Sequence, residues 1–409
     1  MWGARAELVA DFFEPAERGV QHASLRAANR RAVLTAITFN AGISNAEVSR
    51  RTGLAPQTAS AIVSELEEEG LITRGEVLRG RRGQPATPLF LDYTGAFGIG
   101  CEISWRHIDI VLINLGSEEI ARHRRDFPWL DATTIVDEAA AAIADLAAKL
   151  PADRRNRLAG IGLASPTHID QLVVRAGAPA AQAELWRALD LRQALEKATG
   201  LPTSWYNDGN AACFAEMVMS PPPRPPNLVH LFVSTFLGAG ITSEHSLWEG
   251  PTGNAANLAT MLVNGHGSER HTAADIASAE GLARRLAAAG IALPIGDNPG
   301  SWPWTKWEPH VSAWIDDAGA ALAEVVFNTG AVLEFDRVII DSTFPHDIVQ
   351  RLARATDKGL DALASFYPRH PTITAGSLGI RAIPLGAAQL QLFRKYLSRD
   401  LGDMLEEAV

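Results

Sequence analysis

The N-terminal part of the chain shows three helical patterns separated by short breaks. Apolar residues recur at helical spacing over residues 29–40, and Gly42 interrupts them. The next four residues, Ser44-Asn45-Ala46-Glu47, have the spacing of a capping box, in which a hydroxyl and a carboxylate each satisfy a backbone donor. A second helix is therefore predicted from this box to about Thr52, with Gly53 as its left-handed stop.

A third helix is predicted to begin at Pro56, because proline is favoured at the first helical position. Its apolar stripe is Ala59, Ile62, Val63 and Leu66. Its other face carries short polar side chains near the N-terminus, namely Gln57, Thr58, Ser60 and Ser64. Such side chains can hydrogen-bond base edges, and the N-terminal end of a helix attracts phosphate. We therefore predict that these four residues contact DNA.

Two strand-like runs, residues 71–74 and 89–91, flank a segment rich in glycine and arginine, which is typical of a β-hairpin wing. Its candidate DNA contacts, to phosphates or the minor groove, are Arg79, Arg81, Arg82 and Gln84. Three helices followed by a basic hairpin favour a winged helix-turn-helix that binds double-stranded DNA. The alternative is a small helical interaction domain whose arginines are merely solvated.

From residue 97 the pattern changes to strands followed by helices, and it occurs twice. The first half predicts strands over 97–103, 108–115 and 158–164 and a helix over 133–150. A further short strand leads to Asn207-Asp208-Gly209-Asn210, which opens a helix to about Met219. After a proline-rich connector, the second half predicts strands over 228–235, 337–341 and 372–374, a turn at Gly238-Ala239-Gly240, and helices over 273–289, 311–328 and 380–397.

This repetition predicts an α/β body of two lobes with a ligand cleft between them. The predicted domains are residues 1–91 for the DNA-binding head, 92–226 for the first lobe and 227–409 for the second. The C-terminal helix is expected to pack back on the first lobe.

Charge and composition support this division. The chain has 409 residues and a net charge of −10, yet residues 1–90 carry 11 arginines against 10 acidic residues. A polyanionic partner is therefore expected at the head. Only Cys101 and Cys213 occur, which excludes a disulfide scaffold and fits a reducing cytoplasm. We also expect neither export nor membrane insertion, because no signal-peptide pattern and no apolar run of about 18 residues is present.

Several short motifs together resemble one family, the ROK proteins (repressors, open reading frames and sugar kinases), and specifically its repressors with an N-terminal winged helix. They are Arg82-Gly83-Gln84-Pro85, Asn207-Asp208-Gly209-Asn210-Ala211-Ala212, Gly238-Ala239-Gly240-Ile241, Gly250-Pro251-Thr252-Gly253, Leu378-Gly379 and Gly386-Ala387-Ala388. The resemblance implies a duplicated body of the sugar-kinase/actin-like (RNase H-like) fold. It also implies that Asp208 stands where the kinases carry the base that takes a proton from a sugar hydroxyl.

The chain departs from the kinases of this family at two places. Their Asp-x-Gly-Gly-Thr phosphate loop corresponds here to Glu102-Ile103-Ser104-Trp105-Arg106. Glycines let backbone amides approach phosphate, whereas Trp105 in this turn would block that approach and Glu102 adds negative charge. The kinases also carry a cysteine-rich zinc loop. In this chain the corresponding loop contains no cysteine, and Thr260 stands in place of the zinc-binding histidine. His266 and His271 remain, but two histidines alone make a poor zinc site. We therefore predict no catalytic residue, no metal and no cofactor.

The ligand-binding residues predicted for the cleft are Ser165, Asn207, Asp208, Asn254 and Asn257. Carboxylate and amide groups can bind the hydroxyls of a sugar without phosphorylating it. The alternative is that the Asp208-Gly209 pair only caps the following helix.

The function predicted from these patterns is a transcriptional regulator, a repressor, that binds operator DNA as a homodimer or homotetramer and responds to a sugar or related metabolite. One rival is an ATP-dependent sugar kinase with an accessory head. The other is a DNA-binding protein that responds to no ligand and whose body only dimerises.

Overall fold

The structure, a computed structural model, describes residues 22–76, 87–264, 270–291, 293, 298–363 and 370–397. These residues form two compact units. The first, which we call the head, contains the described residues up to Asp92 together with Tyr396 and Leu397. The second, the body, is Tyr93–Lys395.

The head contains three helices and a small sheet. These elements are α1 (His22–Thr38), β1 (Ile43–Ser44), α2 (Asn45–Thr52), α3 (Pro56–Glu68), β2 (Ile72–Arg74) and β3 (Pro88–Leu91). The strands are antiparallel in the order β1-β3-β2. The winged helix-turn-helix is therefore confirmed, although α1 begins earlier and ends earlier than the predicted residues 29–40.

The predicted capping box starts α2 as expected. Glu47 Oε2 accepts a hydrogen bond from the Ser44 backbone N–H at 3.0 Å, and the Ser44 hydroxyl accepts one from the Glu47 N–H at 3.3 Å. The apolar stripe of α3 packs in the core of the head, where Ala59, Ile62, Val63 and Leu66 are all buried. Because this stripe faces inward, the polar face of α3 is left outside.

The body contains two five-stranded sheets of identical order. The first lobe is built on β4 (Phe97–Ile103), β5 (His107–Asn114), β6 (Glu119–Asp126), β7 (Leu158–Ser165) and β8 (Thr203–Asn207), in the order β6-β5-β4-β7-β8. The second lobe is built on β9 (Leu228–Val233), β10 (Leu237–Ser243), β11 (Ser246–Leu247), β14 (Arg337–Ser342) and β15 (Thr372–Ala375), in the order β11-β10-β9-β14-β15. In each sheet three antiparallel strands are followed by two parallel ones, so the predicted duplicated fold is confirmed.

Helices cover these sheets, and a short hairpin, β12 (Leu262–Asn264) with β13 (Arg270–Thr272), extends the second lobe. The first lobe contains α4 (Ile135–Ala147), α5 (Ile169–Leu172), α6 (Gln182–Ala188), α7 (Leu191–Thr199) and α8 (Asp208–Met219). The helices of the second half are α9 (Ala273–Ile276), α10 (Ala279–Ala288), α11 (Glu308–Gly330), α12 (His346–Leu363) and α13 (Ala382–Tyr396). The single helix predicted over residues 273–289 is wrong, because Ser278 interrupts it and caps α10 by accepting a hydrogen bond from the Gly281 N–H.

The turn predicted at Gly238-Ala239-Gly240 is also wrong. These residues lie inside strand β10, where Gly240 pairs with His230 of β9. A Cβ atom on Gly240 would lie 2.4 Å from the Cβ of Cys213 in α8. Glycine is needed here because a helix packs closely on the strand, and not because the chain turns.

Helix α13 packs on the first lobe. A Cβ atom on Gly162 of β7 would lie 1.9 Å from the backbone oxygen of Ala387 in α13. The helix and the strand therefore touch through their backbones, which joins the end of the second half of the chain to the first-lobe sheet. In the described segments no helix is long and apolar enough to cross a membrane.

Candidate functional site

The outward face of α3 carries the polar residues predicted to contact DNA. Gln57, Thr58 and Ser60 are exposed, and Ser64 is half-buried. Ala55 provides no side-chain hydrogen bond to the start of α3, so the first backbone amides of this helix have no side-chain cap. Free amides at a helix N-terminus are suitable donors for phosphate oxygens.

The other end of α3 is held by ion pairs within the head. Arg30 of α1 donates to Glu69 at 2.6 and 2.8 Å, and Arg74 of β2 donates to Glu67 at 2.7 Å. These contacts neutralise the acidic end of α3 and orient the helix on its neighbours. The two arginines are consequently engaged inside the head.

Sequence reasoning missed a pair of cations on α2. Arg50 and Arg51 are both exposed in the last turn of that helix, where Arg50 lies 4.0 Å from Glu47. Two adjacent arginines at the end of the helix that precedes α3 are visible in the sequence and could have been predicted to contact the DNA backbone. The predicted wing contacts Arg79, Arg81, Arg82 and Gln84 lie outside the described residues.

A cavity of about 250 Å³ opens between the two lobes of the body. We call it the Asp208 cavity. Of the predicted ligand residues it is lined by Asn207, Asp208, Asn254 and Asn257. Ser165 does not line it, because this hydroxyl is buried and accepts a hydrogen bond from the Trp205 indole N–H at 2.8 Å.

Thr167 connects the two sides of this cavity. Its hydroxyl accepts a hydrogen bond from the Asn207 amide at 3.1 Å and donates one to Asn254 Oδ1 at 2.8 Å. The amide of Asn210 donates to the Gly253 carbonyl at 3.2 Å. A first-lobe loop and helix are thereby joined to the second-lobe loop that contains Asn254. Sequence reasoning included Thr167 only in the loop expected to close the cleft.

Asp208 is the first residue of α8, and Asn207 is the N-cap of this helix. The Asp208 carboxylate accepts a hydrogen bond from the Gly209 N–H at 2.8 Å. Burial raises its pKa to about 6, because desolvation disfavours the charged form and the nearby Glu102 carboxylate adds to the effect. Asn207 therefore caps the helix, and the Asp208 side chain, which lines the cavity, can accept hydrogen bonds from a ligand there.

A second cavity, of about 280 Å³, adjoins the first and shares Trp105, Asp208 and Phe236 with it. The Trp105 ring is buried in the β4–β5 turn and meets the Phe236 ring edge to face, with centroids 4.9 Å apart. Glu102, also buried, pairs with His107 at 3.0 Å. An indole ring and a carboxylate thus line the β4–β5 turn.

The loop that the resemblance predicts at the position of the family's zinc site contains no cysteine. Cys101 and Cys213 are buried in β4 and α8, and the Thr260 hydroxyl donates to the Asn257 carbonyl at 2.9 Å. His271 lies in β13, and His266 is outside the described residues. These residues do not fit the zinc ion of the family's kinases.

Two protein-family models match the chain. The ROK family model matches residues 98–390, well over half of the sequence. The chain belongs to the ROK family. A winged helix-turn-helix DNA-binding model matches residues 26–73, so this ROK protein carries a DNA-binding head.

Curated relatives include an uncharacterised protein, y4fQ of Sinorhizobium fredii, at 25% identity over 90% of this chain and 92% of its own length. The xylose repressor of Bacillus subtilis is 25% identical over 58% of this chain. The alignment spans 61% of that repressor's length.

Solved structures support the fold. A ROK family transcriptional regulator described as a homologue of the Escherichia coli MLC protein superposes with a TM-score of 0.69 at 19% identity, covering 94% of this chain and all of that one. A ROK family glucokinase from Streptomyces griseus, solved with glucose and AMPPNP, superposes with a TM-score of 0.58 at 19% identity over 72% of this chain and 99% of its own. The body fold is thus common to regulators and kinases of the family.

Proposed function

We propose that this ROK protein is a transcriptional repressor whose head binds operator DNA and whose Asp208 cavity binds a sugar or related polyol without phosphorylating it. The observation that carries the proposal is the exposed polar face of α3 on a winged helix-turn-helix joined to a ROK body. Both the xylose repressor and the MLC homologue among its relatives are named as regulators, which supports the same reading.

In the head, α3 is the candidate recognition helix. Its N-terminal polar residues Gln57, Thr58 and Ser60 are exposed, while its apolar stripe is buried. Arg50 and Arg51 would contact the DNA backbone beside it, as the first helix of a helix-turn-helix does. The wing residues Arg79, Arg81, Arg82 and Gln84 would add phosphate or minor-groove contacts.

DNA binding is tested by selecting duplexes from a random library with the full chain and then measuring affinity by fluorescence anisotropy. Gln57→Ala is expected to weaken binding to the selected duplex by roughly tenfold to a hundredfold, because one base contact contributes about 1–3 kcal/mol. The matched control is Gln193→Ala on helix α7 of the body, also exposed, which should bind normally. A folded protein that selects no sequence would contradict the proposal.

In the body, the Asp208 cavity has the chemistry that neutral polyols require. Asp208 offers carboxylate oxygens, while Asn207, Asn254 and Asn257 offer both amide donors and acceptors. Vicinal hydroxyls pair well with such groups. Because the walls come from both lobes, a ligand that fits one lobe arrangement better would shift the population of that arrangement.

Ligand binding is tested by thermal-shift screening of pentoses, hexoses and their amino and phosphorylated derivatives with the full chain. A ligand at a hundred times its Kd should stabilise the folded state by about 2.7 kcal/mol. Asp208→Asn should reduce the shift, and Asp145→Asn, an exposed position on α4, should leave it unchanged. If no compound moves the midpoint, the body is a ligand-independent dimerisation module and the effector half of the proposal is wrong.

The rival function, an ATP-dependent sugar kinase, is favoured by the position of Asp208 and by the likeness to solved ROK kinases. The buried Trp105 ring opposes it, because phosphoryl transfer requires backbone amides to approach the phosphates and this side chain occupies the turn. A coupled ADP-release assay over the same sugar panel is expected to give no turnover. Turnover that disappears in Asp208→Ala would establish the kinase instead.

A homodimer or homotetramer is part of the proposal, because operators with two-fold symmetry are read by paired recognition helices. Light scattering coupled to gel filtration would measure the mass of the full chain, alone and with the selected duplex. A monomer in both conditions would contradict this part.

A further inference from the structure

Three ionisable side chains meet in the interior of the body, and none of them is among the residues that line the two cavities. Glu216 of α8, His230 of β9 and Asp341 of β14 are 4%, 0% and 2% exposed. One potential ligand atom from each lies within 4.8 Å of the others. Burying three such groups together is unfavourable unless their charges and lone pairs are satisfied.

The fold brings these residues together on one face of the second-lobe sheet. Strands β9 and β14 run parallel, and Asp341 is the register partner of Phe232. Because alternate residues of a strand share a face, His230 lies on the same side as Phe232. The two rings are stacked, with their centroids 6.1 Å apart. The opposite face carries the apolar core, which includes Val229, Leu231 and Val338.

Backbone amides already orient the two carboxylates. Glu216 Oε1 accepts from the Ser377 and Leu378 N–H groups at 3.0 and 3.2 Å, and Asp341 Oδ2 accepts from the Gly379 N–H at 2.9 Å. Hydrogen bonds of this kind are what hold metal-binding carboxylates in place. Both carboxyl groups therefore have backbone partners outside the cluster, and within it the two side chains hydrogen-bond each other.

His230, in contrast to the two carboxyl groups, makes no hydrogen bond that would explain its burial among the described residues. Neither ring nitrogen has a hydrogen-bond partner among the described residues, although the side chain is fully buried. A neutral imidazole ring presents a lone pair on one of its nitrogens, and here neither nitrogen is engaged by a described side chain or backbone group. A neutral imidazole beside two carboxylates is a donor set suited to a divalent transition metal.

We propose that Glu216, His230 and Asp341 bind one divalent transition-metal ion, with Zn²⁺ as the probe of choice. Binding would release the proton that Glu216 and Asp341 share, so that two carboxylates balance the charge of the ion and the imidazole supplies the nitrogen ligand. Bonds of about 2.0–2.2 Å place tetrahedral ligands roughly 3.4 Å apart, so binding would draw the three side chains together. The ion would join α8, whose first residue is Asp208, to the second-lobe sheet and to the turn that precedes α13.

The first experiment measures the metal content of the tag-free full chain, purified without chelator, by mass spectrometry of the elements. We expect one equivalent of metal per chain. Dialysis against a chelator should lower the melting temperature, and added Zn²⁺ should restore it, rising with the logarithm of its concentration. Co²⁺ in place of Zn²⁺ should give visible absorption bands, which provides a readout that does not depend on DNA or sugar binding.

The variants separate this site from adventitious binding. His230→Asn should weaken metal binding at least tenfold, and Glu216→Gln provides a second variant that keeps an acceptor for the Ser377 and Leu378 amides. The matched control is His107→Asn, a histidine of β5 outside the cluster, which should retain the metal. A folded wild-type chain without metal, whose melting is unchanged by Zn²⁺, would overturn the proposal, as would metal bound equally by the wild type and both cluster variants.

Discussion

Replacing Asp208 by asparagine should stabilise the ligand-free protein while it impairs ligand binding. The Asp208 carboxyl group has an ordinary pKa of 3.8, and burial raises it to about 6 in the folded body. The folded state therefore holds this proton more tightly than the unfolded chain does. Ionisation of Asp208 consequently destabilises the fold as the pH rises from about 4 to about 6, and the full effect is present above that range.

The size of the effect follows from the two pKa values. A difference of about two units, at about 1.36 kcal/mol each, corresponds to about 3 kcal/mol at pH 7. Asparagine removes the charge and keeps an oxygen that can accept the hydrogen bond from the Gly209 N–H. Unfolding of a unit of this size carries an entropy of about 0.6 kcal/mol/K, so the melting temperature should rise by about 5 °C at most.

The assay compares thermal melts of the wild type and Asp208→Asn at pH 4 and at pH 7.5. The difference should be near zero at the lower pH, where the wild-type carboxyl group is largely protonated, and should reach its full value at the higher pH. Asp145→Asn, the exposed control on α4, should show no such dependence. A variant that is equally or less stable than the wild type at pH 7.5 would refute the reasoning.

Three further predictions concern the cap, the helix–strand contact and the ligand. Ser44→Ala should destabilise the head by about 1 kcal/mol, because the capping box of α2 is lost. Hydrogen exchange of the α2 backbone amides should become faster in this variant and remain unchanged in the control Ser60→Ala. Gly162→Val should destabilise the body by about 1–3 kcal/mol or more in urea denaturation, because the new Cβ would collide with the Ala387 carbonyl oxygen. Gly238→Ala should be milder, because the nearest atom to its new Cβ would be the Gly209 Cα at 3.5 Å. Equal losses of stability in the two variants would contradict the packing argument. Sugar affinity measured by calorimetry should fall about tenfold from pH 7 to pH 5, because only ionised Asp208 accepts from two hydroxyls, and a flat profile would exclude that role.

Local patterns determined much of the fold. The capping box at Ser44, the apolar stripe of α3 and the repeated order of strands and helices depend on neighbours in the chain, and all are found in the structure. Helix α12 was not predicted, although its buried residues, Ile348, Val349, Leu352, Ala353, Thr356 and Leu360, recur at helical spacing that could have revealed it. The motif Asn207-Asp208 could likewise be predicted to start a helix, because asparagine is a favoured N-cap residue, and Asn207 does cap α8 in the structure.

Only the tertiary structure decided which side chains meet. Ser165, the last residue of β7, accepts a hydrogen bond from Trp205, whereas Thr167, in the loop beyond it, bridges Asn207 and Asn254. Glu216, His230 and Asp341 are separated by 14 and 111 residues in the sequence and converge only because two parallel strands and a helix pack on one face. Periodicity along the chain specifies which face of an element is buried, whereas the partner of each buried polar group depends on how distant elements pack.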